Sequence, residues 1–200
     1  MTVVPSGRPE PLPPPAPGTR GLLPNLLNIA LFYGAWFGCA FGLAWGQPLL
    51  GPLSALVVLA IHLTLRQDRR AELLTILAVV VVGPFIDVSL VLLDAVRFAE
   101  PLVLGFFAPP TLLALWVVFA TTFDASLGWM ATRPLLAAGF AAVGGPLAYI
   151  TGERLGALQL DPDLASWLVP TACLWALGFP ALLRFAAWVR RAGAGSPTAD

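Results

Sequence analysis

Lysine is absent from this chain, histidine occurs once, and charged residues make up only 11% of its 200 positions, against about a quarter in a soluble globular domain. So little charge on a sequence that is 58% hydrophobic, with a mean hydropathy of +0.83, all but excludes a water-soluble enzyme. The eleven arginines balance eleven acids, so no net field gathers nucleic acid or an acidic partner. Cys39 and Cys173 lie in apolar runs with no CxxC or Cys/His spacing, which argues against a disulfide framework and a zinc site. A lone histidine leaves no ligand shell for an intramembrane metal enzyme, and neither metal nor other cofactor is expected. No GxSxG elbow, Walker loop or GxGxxG after a strand occurs, so serine-hydrolase, nucleotide and dinucleotide chemistry lack their motifs.

What the chain does contain is long apolar runs. A membrane-crossing helix needs about 20 mostly apolar residues, and six runs near that length are bounded by charge, Pro or Gly: Leu22 to Trp45, Leu49 to Leu65, Leu73 to Asp94, Pro109 to Met130, Leu135 to Thr151, and Leu164 to Trp188. The expected fold is all-α, a polytopic six-helix transmembrane bundle over residues 22–188. Gly46-Gln47-Pro48 reads as the tight turn of a helical hairpin. Residues 1–21 carry seven prolines and no apolar face, so they read as a disordered tail; residues 189–200 read as a second one. The run from Leu22 is too long for a signal peptide and lacks a small-x-small site, so it is expected to be retained.

Orientation follows from the arginines. Nine of eleven (Arg8, Arg20, Arg66, Arg69, Arg70, Arg133, Arg184, Arg190 and Arg191) fall on one side, and only Arg97 and Arg154 on the other. This bias predicts that both termini are cytoplasmic. Trp129 and Trp188 fall near the inner boundary, Trp45 and Trp167 near the outer one. Gly34, Gly38 and Gly42 at four-residue spacing, and Gly139, Gly144 and Gly145, are expected to let helices approach closely.

Ionisable groups are costly in hydrocarbon, by about 2.5 to 3.5 kcal/mol on insertion scales, so each one inside a span is a candidate for function. Asp87 follows the Gly83-Pro84 break, about 22 Å along the helix from Glu72, with Tyr149, Thr151 or Arg154 on the fifth span as its expected partner and Asp94 reading as an ion pair with Arg97. Asn28, His62 and Asp124 fall at a similar inner depth and form a candidate polar cluster, in which a His beside a carboxylate would suit proton relay or general-base work. The loop from His62 to Glu72 holds Arg66, Arg69 and Arg70. These serve as a topogenic signal or as a site for an anionic lipid headgroup.

Asn28, the His62 to Glu72 loop, Gly83 with Asp87, the stretch from Phe119 to Trp129 and above all Gly144 to Leu158 (GGPLAYITGERLGAL) resemble the bacterial inner-membrane family called domain of unknown function 2878, over essentially Leu22 to Trp188. That resemblance implies a multi-pass protein without assigned activity. By association with fatty-acyl modification enzymes of the cyclopropane type, it also implies a lipid-related role. The leading expectation is an accessory protein in membrane lipid or acyl-chain modification, with the bilayer and lipid-modifying membrane enzymes as partners. A small-solute or proton-linked transporter using Asp87 and Asp124 is the alternative, with Gly51-Pro52-Leu53 and Gly145-Pro146-Leu147 as traces of an inverted repeat. An intramembrane enzyme using His62 and Asp124 is the third.

Overall fold

A computed structural model describes residues 22–101, 103 and 108–194. The tail expected over residues 1–21 and the end of the C-terminal tail, 195–200, lie outside the described residues. The helices are α1 (Leu22–Ala44), α2 (Leu50–Thr64), α3 (Arg69–Val82), α4 (Phe85–Leu92), α5 (Pro110–Ala120), α6 (Pro134–Arg154) and α7 (Leu164–Ala194), with a 3₁₀ segment at Gly128–Thr132. Four runs, Leu22–Ala44, Arg69–Leu92, Pro134–Arg154 and Leu164–Ala192, are long and apolar enough to cross a membrane. By contrast, α2 and α5 are short, about 22 Å and 16 Å at the α-helical rise.

The chain's punctuation explains these lengths. Asp68 caps α3 by accepting from the Ala71 amide at 3.0 Å, satisfying one orphan donor of the first turn. At α5, Pro110 sits where a missing N–H costs nothing, and Glu100 reaches across from the preceding loop to accept from the Thr111 amide at 3.0 Å and its hydroxyl at 2.8 Å. That helix ends earlier than its hydropathy suggests. The Thr121 and Thr122 hydroxyls donate back to Val118 O and Phe119 O, and the chain then turns through residues 121–127. The run expected to continue to Met130 is therefore interrupted, and Asp124 lies on a turn, not inside a helix. α5 packs against α1, α2 and α3, and Thr121, Thr122, Phe123 and Ser126 are buried, so its irregular end is covered by protein, the condition under which broken helix is tolerated in a bilayer.

Three helices end in the same left-handed turn. After α1, Gln47 N donates to Gly42 O and Gly46 N to Leu43 O, with Gly46 at φ +67°; α6 closes identically at Gly156, and α4 at Asp94, a non-glycine at φ +54°. These are Schellman motifs. Asp94, expected to pair with Arg97, thus serves as a helix stop. Beyond α4 and α6 the chain pairs two short strands, β1 (Val96–Phe98) and β2 (Leu158–Leu160), antiparallel with Val96 opposite Leu160. Val96 and Leu158 turn inward while Arg97 and Gln159 face out, the period-2 alternation of a strand. This hairpin-like cap stands where only loops were expected.

The core joins α3, α5, α6 and α7 through Trp116, stacked on Trp175 at 5.8 Å, and through Phe119, Phe123 and Phe179. Close approach depends on glycine at Gly83, where a Cβ would lie 2.4 Å from the Trp116 ring, and at Gly145, 2.6 Å from Trp175. In the α1 glycine series, Gly38 and Gly42 face α2 and the turn before it, while Gly34 meets nothing. The Gly-Pro-Leu traces occupy unlike places: Pro52 is in the first turn of α2 and Pro146 is inside α6. Finally, α7 is helical through Ala194, beyond the expected limit at Trp188.

Candidate functional site

Polar side chains collect at two levels. The first is the end of the bundle shared by the start of α1 and the end of α7. The α2–α3 hairpin brings His62 and Glu72 to one height although ten positions separate them, and His62 Nε2 lies 2.6 Å from Glu72 Oε1. Arg66, 8% exposed, turns inward with its Nε 3.1 Å from the same His62 nitrogen and its other nitrogens 3.6 Å from Glu72 and 3.7 Å from Asp124. Asp124 also forms an ion pair with Arg190 of α7. Beside it, Asn28 receives a hydrogen bond from Ser126 Oγ at 2.8 Å and donates to Thr121 O at 3.3 Å. One ring nitrogen carries either a hydrogen or a lone pair. The Glu72 and Arg66 contacts to His62 Nε2 are therefore alternatives as hydrogen bonds, chosen by the tautomer.

Asn28, His62 and Asp124 thus share this level, and it is Arg66 that connects His62 to Asp124. The carboxylate touching His62 is Glu72, which the sequence reading placed only at the boundary of a loop. Of the three arginines proposed for a lipid headgroup, Arg69 and Arg70 are exposed, and Arg66 is withdrawn into the protein because two carboxylates face it there.

The second level lies nearer the strand pair. Asp87, 2% exposed, accepts from Trp116 Nε1–H at 2.7 Å and from the Tyr149 hydroxyl. The structure brings Asp87 and Tyr149 together; Trp116 is an additional partner. Its signal was available, since an indole buried in an apolar run needs an acceptor. On α7, Thr171 Oγ1 is buried without a hydrogen-bond partner among the described residues, and Trp175 packs against the cluster that contains Tyr149. Among the described residues no group of three or more His, Cys, Asp or Glu side chains could hold a metal ion.

The outer surface of the bundle carries a furrow between α3–α4 and α7. It consists of two adjoining hollows of about 460 Å³ and about 430 Å³ that meet at Val82 and Phe185, and its walls are almost wholly apolar.

A family model described as "Protein of unknown function (DUF2878)" matches residues 25–181. No curated protein and no solved structure matches the chain.

Proposed function

The chain belongs to the DUF2878 family, and from that premise we propose that it is a six-span protein of the bacterial inner membrane, with both termini cytoplasmic, acting as an accessory in membrane lipid or acyl-chain modification. The observation that carries the lipid reading is the shallow apolar furrow on the side of the bundle along α3–α4 and α7. In this reading the segments around the shorter apolar helices α2 and α5 supply the remaining two crossings, and the arginine bias sets the orientation. The test is deletion of the gene with acyl-chain profiling under envelope and oxidative stress. A changed proportion of modified chains is expected, and an unchanged profile removes the modification role.

The Asp87 site favours a second reading, a small-solute or proton-linked transporter, because a carboxylate held by a phenol and an indole inside hydrocarbon is the kind of group that proton carriers use. Transport that survives Asp87→Asn combined with Asp124→Asn eliminates it.

A further inference from the structure

We propose that the half of the furrow nearer the termini seats one acyl chain of an anionic phospholipid from the leaflet on that side, with its phosphate held between Arg70 and Arg191. The proposal rests on the lipid reading above and gives it a ligand class. The hollow is walled by Leu74, Leu77 and Val81 of α3 and by Phe185, Trp188 and Ala192 of α7. From Leu74 to Val82 it runs about 12 Å along α3, close to the depth of one leaflet, which is half of a hydrocarbon core about 30 Å thick. It therefore matches one chain from one side.

The charge at its mouth supplies the headgroup. Arg70 stands one turn before Leu74, on the same face of α3, and Arg191 follows Trp188 by three residues on α7. Both are exposed, and neither has an ion-pair partner among the described residues, whereas Arg66 and Arg190 nearby are committed to Glu72 and Asp124. The two acids of the adjacent α3 turn do not compete for them: Glu72 faces His62 inside the bundle, and Asp68 caps its own helix. Trp188, 58% exposed at the same height, is placed as an interfacial ring beside the glycerol level. Arginine forks match phosphate oxygens bidentately, so an anionic phospholipid is preferred over a zwitterionic one whose ammonium would meet two cations.

The experiment is native mass spectrometry of the full chain released from nanodiscs of equal phosphatidylglycerol and phosphatidylethanolamine. One phosphatidylglycerol per chain is expected, with phosphatidylethanolamine retained at least tenfold less. Arg70→Ala with Arg191→Ala is expected to abolish that preference. Arg133→Ala, which removes one charge at the same end but outside the furrow, is expected to leave it intact. Ala78→Trp, or Val81→Phe if the first variant does not fold, fills the hollow and is expected to lower retention of both lipids. Equal retention of the two lipids by the native chain, equal losses in the Arg133 and the paired arginine variants, or unchanged retention in a folded furrow-filling variant each overturns the proposal. So does efficient Val81→Cys cross-linking between two chains that added phosphatidylglycerol fails to suppress, which would assign the furrow to a second copy. Specific retention alongside an unchanged acyl profile in the deletion strain would keep this site and remove only the modification role.

Discussion

Glu72 and Asp87 are both buried carboxylates, yet their surroundings ask different things of them. Glu72 answers His62 and Arg66, so its removal takes a counter-charge from the Arg66 guanidinium in a site 4% to 8% exposed. Breaking a buried ionic set by deleting one member costs about 3–5 kcal/mol. Glu72→Ala is expected to fall by that amount in detergent unfolding, while exposed Arg69→Ala stays within about 0.5 kcal/mol. Asp87 answers two neutral donors. Asp87→Ala leaves an indole N–H and a phenol unpaired, at roughly 1–3 kcal/mol each; Asp87→Asn keeps one acceptor oxygen and should lose less. The same unfolding assay ranks the two variants, and an asparagine variant as unstable as the alanine one would contradict the two-donor picture. For Asp87 the sequence narrowed the partner to Tyr149, Thr151 or Arg154, because an acid beside a Gly-Pro break has few polar choices on neighbouring spans; packing selects Tyr149. Glu72 was not legible in advance, because its position next to three arginines reads as a solvated loop until the hairpin folds it back onto His62.

At the scale of elements, the three left-handed stops are the clearest link between local sequence and architecture. Gly46 and Gly156 adopt positive φ at no steric cost, but Asp94 adopts it with a Cβ, at about 1–2 kcal/mol. Asp94→Gly is therefore expected to raise stability by up to about 1 kcal/mol, and Gly156→Ala to lower it by a similar amount, both read as shifts in unfolding midpoint. A stabilised Gly156→Ala would show that the turn is not needed for the strand pair that follows. Those strands were invisible to a search for apolar runs because three residues each are too few to register, and their pairing joins segments some sixty positions apart. The short α5 escaped for a different reason. Hydropathy averages over Thr121 to Thr132 without seeing that two threonines turn their hydroxyls onto the helix and end it. A helix apolar on all sides signals burial in the bundle as much as membrane span.

For the whole molecule, the contacts of Asn28 with Ser126 and of Asp124 with Arg190 hold the start of α1 and the end of α7 at one end. Single cysteines at Leu23 and Ala192, in a chain carrying Cys39→Ser and Cys173→Ser, are expected to react with an impermeant thiol reagent only in opened cells. Labelling of either one in intact cells would refute the cytoplasmic assignment. The helical class and the shared end follow from counting apolar runs, whereas which helices are neighbours depends on side-chain packing that no periodicity encodes. One consequence concerns where the folded unit stops. The family match ends at residue 181, but Leu182, Leu183 and Ala186 are core residues, and Arg190 holds Asp124 from the following turns of α7. A fragment trimmed to the matched segment would lose core packing and an ionic tie together, because the residues that fold with it continue for about two and a half further helical turns.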